Sequence, residues 1–300
     1  MPNEWMRGYL TFNPETFKWA EYDSMMRVIE GGGKLTKIEQ MTREYYENLA
    51  YLMVSQMDSE YVGAYGYMPI TYVAPRFDPE ELRHVPQIVH DEFVHGTRIK
   101  DCLELVGFNA DKWIEDHQGF YNFRLESGVI LETRPMRDFR VSIFYYPIVC
   151  EGDSITTWAN FSIFQFLQDR GAGEQLKDAI NSSFEPWSRE NQKIMREENR
   201  HILHGDRWMA KLYKQNPELI QGLFDMWWPR SMVTFGHPAS ERNNLWRKLG
   251  LKRRTNEEVL RDFLDGPNGI HAANENVGLK ITPTDLVVAS WKSGYYERQA

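Results

Sequence analysis

The sequence predicts an all-α protein built around a four-helix bundle, and three observations carry that prediction. Long stretches with helical spacing and little proline recur along the chain. Few runs alternate apolar and polar residues with the period of two that a half-buried strand requires. Two Glu-x-x-His units, Glu92-Phe93-Val94-His95 and Glu198-Asn199-Arg200-His201, each lie inside such a stretch, about a hundred residues apart. A Glu-x-x-His on each of two helices, with one carboxylate from each of two others, is how a bundle builds a site for two metal ions.

Residues 1–35 are mixed and end in Gly31-Gly32-Gly33, which breaks any helix. From Leu35 to about Tyr67 the spacing is helical and proline is absent, giving the first bundle helix. Pro69 and Pro75 punctuate the connection that follows. Asp78 reads as an N-cap, Pro79 as the first helical residue, and Glu80 and Glu81 as acids set against the helix dipole. This second helix should stop at Val106-Gly107, where glycine can take the left-handed turn. A short helical segment is expected around residues 109–126. The third helix is expected from about Met136 to Arg170, with Pro147 and Gly152 marking a kink or break. The fourth should run from about Glu174 to Tyr213, with an interruption at Pro186, and a fifth from Pro217 to near Pro229. The last sixty residues carry one clear helix, Asn256 to Leu264, within otherwise extended or irregular wrapping. Residues 1–265 then form one ferritin-like domain with an N-terminal extension, and 266–300 a C-terminal extension packed on it.

Residues three apart on a helix lie about 60° apart and one turn up, so each Glu-x-x-His aims a carboxylate and an imidazole at one point. A lone match is more often a solvated pair; two on separate long helices are better evidence. Glu60 precedes Glu92 by 32 residues, the right interval for two ligands across an antiparallel hairpin. For the second hairpin Asp169 and Glu151 stand 29 and 47 residues before Glu198. Spacing leaves that choice open. Gly171 and Gly173 make the Asp169 region look like a turn, and helix propensity favours Glu151. Hard oxygen donors with one imidazole per metal suit iron and work with dioxygen.

The chain has 300 residues, 42% of them apolar, enough to bury a substantial core. A formal charge of -8 argues against a broad nucleic-acid surface, yet leaves room for the local basic run Trp246 to Arg254. With only Cys102 and Cys150, outside any Cys-x-x-Cys pair, a disulfide framework is excluded and a reducing cytosol expected. No signal pattern and no uninterrupted apolar run of membrane-spanning length occurs, so a soluble cytoplasmic protein is expected, without nucleic-acid or membrane partners.

At the metal motifs the chain resembles a known family, the di-iron catalytic subunits of bacterial acyl-CoA ring epoxidases that act on phenylacetyl-CoA and benzoyl-CoA. Ser59 to Gly63 (SEYVG) is similar to the family segment whose glutamate, here Glu60, binds iron. Asp91 to Gly96 (DEFVHG) carries Glu92 and His95. Trp158 to Leu176 resembles the helix that supplies an aspartate, which falls on Asp169, and Ser182 to His201 continues the likeness to Glu198 and His201. Trp227 to Pro238 and Arg253 to Asp265 resemble later segments, so the likeness covers about residues 50 to 265. It implies a ferritin-like fold and two iron ions held by Glu60, Glu92, His95, Asp169, Glu198 and His201. It favours Asp169 over Glu151, and implies that the helix accommodates Gly171 and Gly173 through a local π-type distortion.

The activity implied is epoxidation of a ring or C=C bond of an aromatic acyl-CoA with dioxygen. Electrons would come from NAD(P)H through a separate reductase, within a homo- or hetero-oligomer that includes a structural partner subunit. Alternatives are a metal-free structural paralogue, a ferritin-type store, or a radical-generating subunit with a tyrosine near the irons. The phenylacetyl-CoA members carry a lysine one turn before the second-helix glutamate; here Ile88 stands there, as apolar as in the benzoyl-CoA branch, so the acyl group is unassigned. Lys248, Lys252, Arg253 and Arg254 are candidates for the CoA phosphates, although a solvated basic turn is the commoner use of such a run. Asp91 and Glu197 are candidates to orient the imidazoles or are simply exposed acids. His90 and His204 are read as surface or supporting histidines, and Trp227 and Trp228 as core packing.

Overall fold

The computed structural model describes residues 4–117, 121–124, 130–133, 148, 150 and 153–298. A 3-10 turn at Glu4–Tyr9 and helix α1 (Tyr22–Glu30) precede the bundle. The first bundle helix, α2, spans Arg43–Tyr67 and starts later than Leu35 because Thr42 caps it, its hydroxyl accepting from Tyr45 N at 3.1 Å. Leu35 instead pairs with the start of a later helix, through Leu35 N to Ser183 O at 2.7 Å and Glu185 N to Leu35 O at 2.8 Å. The one-turn α3 (Ile70–Val73) leads to α4 (Glu81–Leu105). Here Asp78 is no N-cap: its carboxylate accepts from Glu80 N at 3.0 Å in the preceding turn, Pro79 lies outside the helix, and Glu80 is the cap residue. Pro86 sits inside α4, in its second turn. The helix ends as expected, with Gly107 at φ +76° and Phe108 N returning to Leu103 O.

Helix α5 (Ala110–His117) is shorter than expected. Tyr121–Arg124 forms a strand paired antiparallel with Ile130–Thr133, a hairpin within an otherwise all-α body. The third bundle helix enters the described residues at α6 (Ser154–Phe164), capped by Asp153. It passes through a π-helical turn at Gln165–Asp169 and continues as α7 (Arg170–Ile180). The break between third and fourth helices thus falls at residues 181–184, and the glycines lie in a helix interior. Gly171 and Gly173 are buried there, with Phe235 and Ile202 as the nearest side chains. Helix α8 (Glu185–Gln215) begins at Pro186, which opens it rather than interrupting it. Helix α9 (Pro217–Val233) runs past Pro229. The remainder is more helical than expected: α10 (Glu241–Lys248), α11 (Asn256–Asp265), α12 (Ile270–Asn274) and α13 (Thr284–Lys292).

The bundle is ferritin-like, with α2, α4, α6–α7 and α8 as its four members. Tyr61 meets Thr97 while Tyr65 meets Phe93, so α2 and α4 run opposed. Glu81 meets His204 while His95 meets Glu197, so α4 and α8 do too. The apolar interior falls into two clusters. One gathers Met53, Met57, Ile99, Phe184 and Ile194. The other gathers Tyr67, Ile88, Trp158, Phe166 and Trp208 with the C-terminal Val287 and Trp291. Along α2, α4 and α8 the residues between these clusters are Glu60, Glu92, His95, Glu198 and His201, all buried. A charged layer across the middle of a bundle is costly unless something compensates it.

Candidate metal centre

Each of the four helices brings its residue to this layer by its own local logic. On α2, Glu60 follows Met57 and precedes Ala64 on the buried stripe, so its carboxylate is carried inward. On α4 and α8 the Glu-x-x-His pairs occupy the corresponding stripe. On the third helix the π turn adds a residue to one turn and delivers Asp169 at the level of His201. Ligand atoms of Glu60, Glu92, His95 and Glu198 all lie within 4.8 Å of one another, as do those of Asp169, Glu198 and His201. The structure therefore brings together all six residues singled out by sequence. Glu151 lies outside the described residues.

The imidazoles show what the layer is shaped for. His95 Nε2–H donates to Glu197 Oε2 at 2.9 Å, and Arg98 holds that carboxylate at 2.8 Å. His201 Nε2–H donates to Asp91 Oδ2 at 3.4 Å, with Arg200 and Gln87 fixing Asp91 at 2.9 and 2.7 Å. A carboxylate only accepts, so each ring carries a proton on Nε2 and turns Nδ1 inward. His95 Nδ1 lies 3.4 Å from Glu60 and 3.2 Å from Glu198; His201 Nδ1 lies 3.2 Å from Glu92 and 3.5 Å from Glu198. Both Nδ1 atoms, and Asp169 Oδ2, are buried without a hydrogen-bond partner among the described residues. Orphaned buried polar atoms converging on one point need an occupant. Two inward lone pairs and four carboxylates fit a pair of divalent cations, whose charge the carboxylates would balance.

Without cations the layer must hold protons. Burial depresses the His95 imidazole, but Glu197, Glu198 and Glu60 outweigh it and push it up to about 12. His201 is likewise raised against its burial, by Glu198 and Asp91. Burial and then the Glu198 charge raise Asp169 to about 7, and the same two causes hold Glu92 well above the usual carboxylate range. Asp91 goes the other way: burial opposes it, yet His201, Gln87 and Arg200 bring it to about 2.

Sequence reasoning missed three contributions. Gln56 donates to Glu60 Oε1 at 3.2 Å and Tyr67 donates to Asp169 Oδ1 at 3.3 Å. They stand four before and seven after Glu60, so helical spacing alone marks them as neighbours on its stripe. The third is a buried group one turn along from His201. There His204 Nε2–H donates to Glu81 at 2.7 Å, its Nδ1 meets the Gln165 amide at 2.6 Å, and Trp208 and Arg207 also donate to Glu81. No local pattern announces Glu81, whose partners come from across the bundle.

His90 is exposed, and Trp227 is core, its Nε1 donating to Asn160 at 3.0 Å. The basic run lies elsewhere. Arg254 is engaged by Glu174, Asp178 and Asp262, and Arg253 donates to Asn181 O at 3.2 Å. Lys248 and Lys252 lie over the rings of Tyr22 and Trp246. Asn181 stands twelve residues beyond Asp169, about 18 Å along the helix axis. Among the described residues no helix is long and apolar enough to cross a membrane.

Residues 25–297 match the family model described as phenylacetic acid catabolic protein. The chain is 29% identical over 217 residues to one subunit of the 1,2-phenylacetyl-CoA epoxidase of Escherichia coli (strain K12). That match covers 69% of this chain and 60% of the relative, so the chain spans less than two thirds of the relative's length.

Proposed function

The chain belongs to the phenylacetic acid catabolic protein family, and from that premise we propose that it is the catalytic, oxygen-activating subunit of an acyl-CoA ring epoxidase. One observation carries this reading: two buried imidazoles, each locked from behind by a carboxylate, present unpartnered Nδ1 atoms to four further carboxylates. A structural paralogue without metal has no use for that arrangement and would bear its cost uncompensated.

Glu60, Glu92, His95, Asp169, Glu198 and His201 would hold two iron ions. When bound, that iron pair would supply reduction of dioxygen, with electrons from NAD(P)H through a separate reductase, placing one oxygen atom on the substrate and the other in water. The chain's own residues do the rest. Glu197 and Asp91 keep the imidazole protons on the outer nitrogens, and Arg98 and Arg200 keep those carboxylates charged and aimed. Ile88, Trp158, Phe161 and Phe166 form an apolar wall on one side of the layer and exclude water from it. An aromatic acyl group suits such a wall, and an apolar residue at Ile88 asks for no charged substituent. Arg254 is spent on its three acids, which leaves Lys248, Lys252 and Arg253 as the candidates for the CoA phosphates.

Anaerobic loading should give close to two irons per chain, and the loaded protein, with a compatible reductase and partner subunit, should consume dioxygen in step with an aromatic acyl-CoA. Protein that takes up no iron would favour the structural paralogue. Equal turnover of free acids would remove the thioester.

A radical-generating role draws on Tyr67, which is 1% exposed and hydrogen-bonded to Asp169. A persistent tyrosyl signal by electron paramagnetic resonance after oxygenation, lost in Tyr67→Phe, would favour it.

A further inference from the structure

The four carboxylates of the layer are not equivalent. Glu60 Oε1 accepts from the Gln56 amide, and Gln56 is itself pinned from α8. Trp187 Nε1 donates to Gln56 Oε1 at 2.7 Å, and Gln56 Nε2 also donates to the buried Asn191 Oδ1 at 2.8 Å. Asn191 in turn donates to the Trp187 carbonyl at 2.8 Å. An indole N–H can only donate, so the Gln56 carbonyl must face Trp187 and its NH2 end must face Glu60. On the opposite side Asp169 Oδ1 accepts from Tyr67, whose ring is held edge-on by Phe161 and Phe164 at 5.0 and 5.8 Å. The other oxygen, Oδ2, is the unpartnered one. Glu92 and Glu198 take no such donor among the described side chains and instead face the imidazoles, Glu198 spanning both of them.

We propose that Gln56 and Tyr67 are positioning residues that tie one oxygen each of Glu60 and Asp169, leaving each a single oxygen free to face a metal ion. Gln56, Glu60 and Tyr67 lie on one stripe of α2, so a single helix supplies one ligand and both tethers. Each tether acts on a different ion: Glu60 groups with His95, and Asp169 with His201. The inference rests on the two-iron reading above, and its test separates the two.

The test is anaerobic loading with 57Fe(II), read by chelator competition and Mössbauer spectroscopy, on wild type, Tyr67→Phe, Gln56→Leu and Trp187→Phe. Wild type should show two irons and two quadrupole doublets. Tyr67→Phe should weaken one iron about 10-fold or more and shift one doublet. Gln56→Leu should do the same to the other iron. Trp187→Phe keeps Gln56 but frees its amide, and should shift the Gln56 doublet to a smaller extent; it decides the matter should Gln56→Leu not fold. Wild type without iron would sink the metal reading itself. Wild type with two irons, but variants with unchanged affinities and doublets, would overturn the tethers. So would equal loss of both irons from each single variant together with a lower melting temperature, since that is loss of structure rather than of aim.

Discussion

A histidine can direct one particular nitrogen at a metal only if the other is occupied, and here the occupants are the acidic neighbours of the metal motifs. Glu197 precedes Glu198 and Asp91 precedes Glu92, yet each serves the histidine of the opposite helix, Glu197 holding His95 and Asp91 holding His201. That crossing is why the sequence leaves their role open: adjacency in the chain says nothing about which imidazole a side chain reaches. Five of the six candidate ligands are legible because helical periodicity and the first hairpin's interval mark them within single elements, whereas Asp169 rests on the family resemblance. Arg98, Arg200 and Glu81 are not legible, because their partners are set by the register between helices. Replacing Glu197 by Gln preserves shape but makes the partner neutral, and the amide can turn its NH2 toward the ring. We expect Glu197→Gln and Asp91→Asn each to lower iron affinity about 10- to 100-fold, measured by chelator competition, with little change in folding. His95→Ala should remove iron outright. Full iron affinity in both conservative variants would show that tautomer control is not what these acids do.

The least readable element is the third bundle helix. Its glycines suggest a turn, and propensity favours a break there, but tertiary packing overrides both: α7 passes through Gly171 and Gly173, both buried against neighbouring elements. The π turn before it is equally hidden, since an extra residue in one helical turn leaves no compositional trace; only the family resemblance implies a distortion here. What permits it lies on the neighbouring helix. A β-carbon on Gly205 of α8 would stand 2.8 Å from Phe166 N and 2.9 and 3.0 Å from Gln165 Cβ and its carbonyl carbon. Those are mainly backbone atoms and cannot rotate away. In an ordinary helix interior Gly→Ala is stabilising by roughly 1 kcal/mol, so the sign decides the case. Here Gly205→Ala should destabilise by about 1–3 kcal/mol through overpacking, read by denaturant unfolding. It should also displace Asp169 and lower iron content. A stabilised variant with full iron would mean the π turn does not depend on this close approach.

At the scale of the molecule, two apolar clusters are separated by a buried charged layer, so metal binding at the proposed site would be linked to folding. In the metal-free protein the layer stands only when protonated. Asp169 is raised from 3.8 to about 7 and His95 from 6.5 to about 12. A group whose folded pKa is raised stabilises the fold fully below its unfolded pKa, and loses that contribution as pH climbs toward the folded one. For Asp169 the loss runs from about pH 4 to pH 7; for His95 it begins near pH 6.5 and continues upward. The opposite shift at Asp91, from 3.8 to about 2, contributes stability at every pH above about 4 and so does not alter the trend in this window. Iron would replace the protons on these groups, and its binding should therefore strengthen as pH rises and release protons. The metal-free protein should melt at progressively lower temperature between about pH 5 and pH 8, while the iron-loaded protein holds steady or gains. The gap between the two melting temperatures, recorded anaerobically at fixed free Fe(II), should widen with pH across that range. A gap independent of pH would mean that the ions do not compete with protons for these six side chains, and that the charged layer is neutralised in some other way.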